Sequence, residues 1–380
     1  MRILYIVSDL GMGGTQAWVE YASLPLVKQG HKVIVIAEHL PHERQAKLKK
    51  NGILVRAFNE PPDLLAYREI VECEKVDVVH LNVWERVSEL IKLRELCKIP
   101  IALSYHHVPK MSWKQWIWRI ITWSWQIEGL KLMDAMNLVD AHIGCCDASA
   151  KGIRKKLWPF IQKKVFSLPN AIPLPELISR EILIGPPRFL QIGALNKRKN
   201  PFLTLKAFEN VQKLLPTSTL TFVGDGPLYA ELENYIKERH VKNVSLVGEV
   251  SDASLFYMKN NVLILPSKAE GLPYTLIEGA GYGMPLICSN VDGIPEICIS
   301  GYNGILLKDF DKKSMQKAMI DLSTNKNLRL KYGNNGRELV TNKFETRVFV
   351  NKLLQIYKVI TNKDKQGAKE AQQQLNAQDT

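Results

Sequence analysis

Short apolar runs alternate with longer amphipathic stretches along the chain, and this alternation starts twice. Ile3 to Val7 is an apolar run of strand length, Gln16 to Gln29 has helical periodicity, and Lys32 to Ala37 is the next apolar run. A second series begins with the apolar runs Arg188 to Gly193 and Leu220 to Val223, which flank a helical stretch. Strands separated by helices are typical of parallel sheets. The sequence therefore predicts an α/β fold that is built twice.

The length of 380 residues fits two such domains. The stretch 172–187 is rich in proline, which is typical of a linker. A helical pattern follows the second domain, and a polar, glutamine-rich tail that we expect to lack structure ends the chain. The predicted division is an N-terminal domain at 1–171, the linker at 172–187, a C-terminal domain at 188–343, a C-terminal helix at 344–362 and the tail at 363–380.

The net charge of +13 favours an acidic partner, such as nucleotide phosphates, anionic lipid or nucleic acid. The six cysteines show neither a C-x-x-C pair nor a metal-ligand spacing, so we interpret them as reduced thiols of a cytoplasmic protein. The N-terminal apolar run lacks a signal-peptide cleavage site and is followed at once by a glycine loop, so it is predicted to be a strand. No apolar run reaches the roughly 18 residues that a membrane span needs.

The strongest motif is a pair of glutamates, Glu270 and Glu278, separated by seven residues. The apolar run Val262 to Leu265 precedes them and is predicted to be a buried strand, while Thr275 to Gly283 is predicted to be the next helix. Backbone N–H groups at the start of a helix are left free and can face an anion. In an open α/β sheet, ligands bind at the carboxyl edge, where this motif is expected to lie.

The segment EGLPYTLIEGAGYGMPLICSNVDGIPEI resembles the donor-site signature of the retaining glycosyltransferases of family 4. Gly283, Pro285, Gly293, Pro295 and Glu296 match that pattern in register. The family has the GT-B fold, so the resemblance implies two Rossmann-like domains that face each other across a cleft. It also implies that the second domain binds a nucleotide sugar and that the first binds the acceptor.

The resemblance implies roles at this motif. Glu270 is expected to hold sugar hydroxyls as a catalytic residue, and Glu278 is expected to bind the ribose. The turn and the helix start are expected to complete the donor site. The donor-binding residues expected here are Gly271, Leu272, Pro273, Tyr274, Thr275, Leu276 and Glu278.

A charged loop follows the first strand of the second domain. In the family an Arg and a Lys of this loop clasp the donor phosphates, and Gly193 and Lys199 match its pattern. Ala194 stands where the Arg is common, so Arg198 or Lys197 is expected to supply the second cation. Lys199 is therefore predicted to be catalytic and Arg198 to bind the donor. A plain surface charge run is the alternative.

Two further features bear on the donor. Gly224-Asp225-Gly226-Pro227 closely resembles the GDGP turn of the family, which implies that Gly224 and Asp225 bind the donor. No Asp-x-Asp occurs in a plausible donor loop. We therefore expect a metal-independent enzyme without a cofactor.

The first domain carries a glycine loop that resembles the GG-x-E loop of the family. Its Gly13 and Gly14 are expected to approach the donor diphosphate or the acceptor, and Gln16 on the acceptor side stands where Glu is more frequent. A histidine pair follows the apolar run Ile101 to Tyr105, just as His80 and Asn82 end an earlier run. The resemblance implies that the first of the pair, His106, contacts the donor sugar, with His107 as the fallback. An ordinary surface or core histidine is the alternative.

A tryptophan-rich stretch at 113–125 holds five of the eight tryptophans and is predicted to be a helix. Indole rings flanked by Lys and Arg suit a bilayer interface, and a core helix with bulky residues is the alternative. We expect Trp113, Trp116 and Trp123 to face the acceptor or an anionic membrane surface.

Together these features predict a retaining glycosyltransferase that moves a sugar from a UDP- or GDP-sugar to a glycan or lipid-linked glycan, in cell-surface polysaccharide synthesis. The expected location is cytoplasmic, with peripheral membrane contact. The alternatives are a GT-B enzyme that is not a transferase, such as a nucleotide-sugar epimerase or a phosphorylase, and a basic nucleic-acid-binding protein. The latter is disfavoured because the positive charge is spread and no nucleic-acid-binding motif occurs.

Overall fold

The computed structural model describes residues 1–9, 14–39, 42–58, 62–82, 87–107, 138–155 and 164–361. The predicted Trp-rich helix with Trp113, Trp116 and Trp123, the loop residue Gly13 and the predicted tail lie outside the described residues. The chain divides into two compact units. The first comprises Met1–Asn170 and Thr346–Thr380, and the second comprises Ala171–Glu345.

The described residues of the first unit form a parallel sheet of seven strands in the order β3-β2-β1-β4-β5-β6-β7. The central strands are apolar on both faces because helices cover both sides, as expected for a parallel sheet. The strands are β1 (Arg2–Asp9), β2 (Lys32–His39), β3 (Leu54–Ala57), β4 (Val78–Asn82), β5 (Ile101–Tyr105), β6 (Ala141–Gly144) and β7 (Val165–Ser167).

Helices follow most of these strands. Asp63 caps the helix Leu64–Cys73 by accepting a hydrogen bond from the Ala66 N–H. The described helices of this unit are α1 (Gly14–Lys28), α2 (His42–Lys50), α3 (Leu64–Cys73), α4 (Val87–Leu90), α5 (Leu93–Leu96), α6 (Asp147–Arg154) and the C-terminal helix (Thr346–Thr361).

The second unit is a parallel sheet of six strands in the order β10-β9-β8-β11-β12-β13, and all its residues are described. Its strands are β8 (Arg188–Ile192), β9 (Thr219–Val223), β10 (Val244–Leu246), β11 (Val262–Leu265), β12 (Leu286–Ser289) and β13 (Gly304–Leu307). Its helices are α7 (Arg180–Ile184), α8 (Pro201–Leu214), α9 (Tyr229–Glu238), α10 (Ser254–Lys259), α11 (Tyr274–Gly281), α12 (Lys312–Thr324) and α13 (Lys326–Lys343). The C-terminal helix Thr346–Thr361 is therefore α14.

Both sheets reverse their strand order once, between β1 and β4 in the first unit and between β8 and β11 in the second. At such a reversal the loops that leave the two neighbouring strands diverge, and the crevice between them is where open α/β sheets bind ligands. The predicted α/β fold with two parallel-sheet domains is confirmed. The reversal in each sheet also indicates where a ligand is expected to bind, namely at the carboxyl edge beside the two diverging loops.

The proline-rich stretch 172–187, which was predicted to be a linker, lies within the second unit. The Ile178 N–H donates to the Tyr282 carbonyl at 3.0 Å, and both Ile178 and Leu183 are buried. The buried Arg329 guanidinium donates to the carbonyls of Leu183 and Gly185. Buried apolar residues of this stretch and the hydrogen bonds to Arg329 therefore anchor it to the second unit.

The C-terminal helix α14 belongs to the first unit. It begins two residues later than the predicted 344, because Phe344 is buried in the second unit and its N–H donates to the Val340 carbonyl as the C-cap of α13. The buried Phe349 and Tyr357 of α14 pack edge-to-face on Trp18 of α1 and on His80 of β4, respectively.

Candidate donor-binding site

Two loops leave the second sheet at its reversal point. Residues 193–200 follow β8, and residues 266–273 follow β11. The sequence expected donor contacts in both loops, and the parallel pairing of β8 with β11 brings their starting points side by side. The geometry of these two loops therefore decides which of the predicted residues meet.

The loop after β8 holds Lys199 in a fixed position. The Lys199 N–H donates to Asn196 Oδ1 at 3.0 Å, and its carbonyl accepts from Gln191 Nε2 at 3.1 Å. Gln191 Oε1 in turn accepts from the Thr204 hydroxyl at 2.6 Å. Asn200 adopts a left-handed conformation with φ of 54° and turns the chain into α8. Lys199 is therefore anchored by its backbone, while its ammonium stays available to a partner.

Glycines let the neighbouring turn approach this loop. A Cβ on Gly224 would lie 2.3 Å from the Gly193 carbonyl oxygen, and φ at Gly224 is +132°. The carbonyl of Asp225 accepts from the Leu195 N–H at 2.8 Å, and the Asp225 carboxylate accepts from the Gly226 N–H at 2.6 Å. Gly224 and Asp225, which the sequence predicted to bind the donor, thus pack directly beneath the Lys199 loop.

An ion cluster joins the two loops. Lys199 Nζ lies 2.8 Å from Glu270 Oε1, and an Arg198 guanidinium nitrogen lies 3.0 Å from the same oxygen. The side chains of Glu270 and Lys199 are only 8% and 11% exposed, whereas that of Arg198 is 50% exposed. Burial lowers the pKa of the Lys199 ammonium, and the Glu270 carboxylate opposes that shift. Two cations therefore share one carboxylate oxygen.

The cluster decides between the two candidates for the second cation. Arg198 contacts Glu270 and also donates to the Ala269 carbonyl at 3.1 Å, while its own carbonyl accepts from the Lys268 N–H at 2.8 Å. Lys197 is exposed, and so is Ala194. The structure thus brings Arg198, and not Lys197, to Glu270.

The turn after Glu270 leads into α11. The Glu270 N–H donates to Asp292 Oδ2 at 3.0 Å, and Asp292 itself has a left-handed φ of 50°. Gly271, Leu272 and Pro273 are buried, and Pro273 is the N-cap of the helix. Leu276 donates its N–H to the Pro273 carbonyl at 3.1 Å, and Tyr274 is half-buried.

Two buried hydroxyl groups in the segment around Glu270 have no hydrogen-bond partner among the residues that the structure describes. They are Thr275 Oγ1 in the first turn of α11 and Ser267 Oγ directly after β11. A buried hydroxyl without a partner is costly, so such groups often mark a position where a ligand or water binds. Thr275 was predicted as a donor contact. Ser267 was missed, because a serine after a strand carries no distinctive signal.

Glu278 lies on α11 and is held by a tyrosine. The Tyr257 hydroxyl donates to Glu278 Oε2 at 2.6 Å, and the Tyr257 ring stacks on Tyr282 with centroids 5.0 Å apart. Burial raises the pKa of the Glu278 carboxyl, and the hydrogen bond from Tyr257 acts in the opposite direction. The sequence offered no signal for Tyr257, because it lies on α10, twenty-one positions before the residue it contacts.

The first unit presents a different set of groups at its own edge. His106 follows β5, and its Nε2 lies 2.9 Å from Oδ1 of Asn82, which ends β4. Burial, and then the neighbouring His107, lower the pKa of His106 to about 4, so the ring is neutral at pH 7. With Oδ1 as the acceptor, Nε2 carries the proton and Nδ1 is the ring's acceptor nitrogen. Asn82 Nδ2 is buried and has no partner among the described residues.

The other first-unit candidates have different environments. Gly14 and Gln16 lie in the first turn of α1, where Gln16 is half-buried. His107 is exposed, and its carbonyl accepts from the Ser149 hydroxyl. His80 is fully buried inside β4, where its ring hydrogen-bonds with the Tyr357 hydroxyl at 2.6 Å and with Ser104 Oγ at 2.7 Å. The sequence placed His80 among the polar residues at the carboxyl edge of the first sheet, but the structure shows that it is a core residue.

Among the described residues, no three or more His, Cys, Asp or Glu side chains come together in a way that could hold a metal ion. No described helix has the length and hydropathy of a membrane span.

Open α/β sheets bind ligands at such a strand reversal, and the two cations there suit an anionic ligand. Comparisons with known proteins agree with that assignment. The profile described as Glycosyltransferase Family 4 matches residues 12–175, and the one described as Glycosyl transferases group 1 matches residues 177–339.

One relative is the GalNAc-alpha-(1->4)-GalNAc-alpha-(1->3)-diNAcBac-PP-undecaprenol alpha-1,4-N-acetyl-D-galactosaminyltransferase of Campylobacter jejuni, which is 32% identical over 89% of this chain and 93% of its own. An uncharacterised glycosyltransferase of Methanocaldococcus jannaschii is 23% identical over 86% of each chain. The structure of Anabaena HepE in complex with UDP-glucose superposes with a TM-score of 0.76 at 16% identity, covering 95% of this chain and all of that one.

The chain therefore belongs to the group 1, family 4 glycosyltransferases. The predicted family and GT-B fold are confirmed, and the protein is a glycosyltransferase that uses a nucleotide sugar.

Proposed function

We propose that this protein is a retaining, metal-independent glycosyltransferase that moves a sugar from a UDP-sugar to a lipid-linked glycan. The observation that carries the proposal is the cluster of Lys199, Arg198 and Glu270 at the strand reversal of the second unit. The names of two similar proteins support the donor and the acceptor: HepE binds UDP-glucose, and the Campylobacter enzyme acts on an undecaprenol-linked glycan.

Transfer requires that the bond between the anomeric carbon and the diphosphate breaks, and negative charge then develops on the departing phosphate oxygens. Lys199 and Arg198 supply two positive charges at this edge, and Lys199 acts from a buried position where its charge is weakly screened. The N-terminus of α11 adds backbone dipoles that favour an anion. The protein's own cations therefore take the role that a divalent metal plays in other transferases.

The two glutamates bind different parts of the donor, namely the sugar and the ribose. Glu270 accepts hydrogen bonds from sugar hydroxyls, and its buried position fixes it relative to the anomeric carbon. Glu278 accepts from the ribose hydroxyls, and Tyr257 holds its carboxylate in place through the 2.6 Å hydrogen bond. Gly224, Asp225 and the helix start from Gly271 to Leu276 complete the donor contacts.

The first unit contributes uncharged groups. Because the His106 ring is neutral, its Nδ1 can accept a hydrogen bond from a hydroxyl without bringing a charge. Asn82 Nδ2, which has no partner among the described residues, can donate to a hydroxyl oxygen. We also assign substrate contacts to the glycine loop with Gly13 and Gly14 and to Gln16 on α1. Trp113, Trp116 and Trp123 are assigned to contact with the lipid part of the acceptor and the membrane.

In the retaining reaction the acceptor oxygen attacks the face of the sugar that the diphosphate leaves. The new bond from that oxygen to the anomeric carbon forms as the old bond breaks, and the acceptor proton passes to a phosphate oxygen of the leaving group. The proton that the acceptor oxygen loses thus neutralises negative charge on the leaving diphosphate, and no further base is needed.

A thermal-shift screen tests the donor assignment. UDP, GDP, ADP and CMP are added separately, with and without EDTA. A ligand at about 100 times its dissociation constant adds roughly 2.7 kcal/mol of stability. We expect stabilisation by UDP that persists in EDTA and is lost in Glu278→Ala. A shift only with a divalent metal would contradict metal independence, and the absence of any shift would contradict the donor site.

A transfer assay tests the acceptor and the stereochemistry. UDP-glucose, UDP-galactose and their N-acetyl forms are offered with undecaprenyl-diphosphate-linked glycans in detergent, and the product is examined by proton NMR. We expect the anomeric configuration of the donor to be kept. An inverted linkage would contradict the retaining assignment.

A further inference from the structure

The two cations that the proposed function assigns to the donor phosphates are already occupied in the structure. Lys199 and Arg198 both contact Oε1 of Glu270, at 2.8 and 3.0 Å. Among the described residues, Glu270 is the only carboxylate with which either cation forms an ion pair. On the proposed function, the carboxylate oxygen and the donor phosphate oxygens therefore compete for the same two cations.

The protein backbone around Glu270 is held by separate interactions. The Glu270 N–H donates to Asp292, and the backbone N–H of Lys268 donates to the Arg198 carbonyl at 2.8 Å. The Glu270 carboxylate can therefore exchange its partners by side-chain rotation, without a change in the loop. At 8% exposure it has little access to water after such a rotation, so it needs another polar partner.

We infer that Glu270 is an internal competitor for the phosphate-binding cations, and that it makes the site discriminate between the intact nucleotide sugar and the free nucleoside diphosphate. This inference rests on the proposed function. With the intact donor, the sugar hydroxyls offer Glu270 new hydrogen bonds in exchange for the lost ion pairs. With the free diphosphate no hydroxyl replaces them, and a buried carboxylate without a partner is costly.

The consequence for turnover is a bias toward product release. After transfer the sugar has left, Glu270 returns to Lys199 and Arg198, and it competes there with the phosphates of the product. The same residue thus favours binding of the substrate and dissociation of the nucleotide that the reaction leaves behind.

Isothermal titration of the full chain with UDP and with UDP-glucose tests the inference. In Glu270→Gln the side chain keeps its size and loses its charge, so the two cations are no longer neutralised. We expect UDP to bind about tenfold more tightly than to the wild type, which corresponds to roughly 1.4 kcal/mol. UDP-glucose should bind equally or more weakly, so that the preference for the donor over UDP falls.

Glu278→Gln is the matched control, because it makes the same change at the ribose contact. It should weaken UDP and UDP-glucose by similar factors and leave their ratio unchanged. UDP binding to Glu270→Gln that is unchanged or weaker than wild type would overturn the inference.

A second variant guards against misfolding of Glu270→Gln. Arg198 is half-exposed, so Arg198→Gln is expected to fold, and its effect is measured in both backgrounds. Loss of Arg198 should weaken UDP binding more in Glu270→Gln than in the wild type, where Glu270 already neutralises it. Equal effects in both backgrounds would overturn the inference. If wild-type protein binds neither UDP nor UDP-glucose, the proposed function and the inference fall together; if it binds both and only the variants deviate, the inference alone falls.

Discussion

The edges of the two sheets bear opposite kinds of polar group. At the second sheet's reversal, Lys199 and Arg198 face Glu270 as a charged cluster. At the first sheet's edge, Asn82 and His106 form a neutral pair, because burial lowers the pKa of the histidine to about 4. The same parallel α/β architecture therefore supplies charge in one unit and neutral hydrogen bonding in the other. This contrast matches a reaction that joins a charged diphosphate donor to a hydroxyl acceptor.

Removal of the buried cation Lys199 should have the largest effect on the charged edge of the second sheet. Lys199→Ala should reduce the transfer rate by about 10³-fold, because a preorganised charge that stabilises the leaving group is lost. Steady-state transfer with the donor that stabilises the wild type measures this. Lys197→Ala removes an exposed neighbour and should change the rate by less than twofold. Similar losses in both variants would show that general positive charge, and not the cluster, is what matters.

Removal of the neutral pair should have a smaller effect. His106→Ala should lower the transfer rate by about 10²-fold through loss of hydrogen bonding and orientation. Because the pKa of His106 is about 4, the wild-type rate should not fall between pH 8 and pH 6 through protonation of this ring. His107→Ala is the matched control and should retain most activity. A rate that drops with an apparent pKa near 6.5, and does not do so in His106→Gln, would contradict the neutral assignment.

The positioning of Glu278 can be weakened without changing any charge. Tyr257→Phe deletes the hydroxyl that donates to Glu278 at 2.6 Å and keeps the ring that stacks on Tyr282. We expect UDP affinity to fall by about tenfold, since a hydrogen bond to a charged group is lost. Tyr282→Phe keeps the stack and should leave UDP affinity unchanged. Titration calorimetry checks both variants, and equal affinities for wild type and Tyr257→Phe would remove Tyr257 from the site.

The last prediction concerns the stability of the first unit's core and not the transfer reaction. Burial lowers the pKa of His80 to about 3, below its usual value of 6.5, so the unfolded chain binds the proton first as the pH falls. The contribution of the neutral His80 to the free energy of unfolding should therefore be complete above pH 6.5. It should decrease by up to about 1.4 kcal/mol per pH unit as the pH falls from 6 to 4. His80→Gln should show a shallower decrease in denaturant melts over this range. An unchanged slope would contradict the buried neutral histidine.

Several strands, and the edge at which the candidate site residues lie, could be predicted from the sequence. β5 and β11 have the predicted bounds, and the glutamate motif with Lys199 lies at the predicted edge. These features depend on local patterns: an apolar run defines a strand, and the parallel order brings the loops after the strands together. Glu270 and Lys199 lie seventy-one positions apart in the sequence, yet both lie in the loops that follow neighbouring strands.

Other contacts could not be predicted because they depend on packing between distant segments. Arg198 and Lys197 are adjacent, and only the direction of each side chain after the β8 loop decides which reaches Glu270. Tyr257 meets Glu278 because α10 packs beside α11, and no spacing signals that contact. The stretch 172–187 was predicted to be a linker because of its prolines, while its anchoring depends on Arg329, far along the chain.

The most direct test of the central claim is isothermal titration of the wild type and of Lys199→Ala with UDP in the presence of EDTA. The claim is that the second unit's own cations, held at its strand reversal, bind the donor diphosphate. We predict that the wild type binds UDP with an affinity that EDTA leaves unchanged, and that Lys199→Ala binds it at least tenfold more weakly. UDP binding that disappears with EDTA, or that Lys199→Ala retains in full, would contradict the claim.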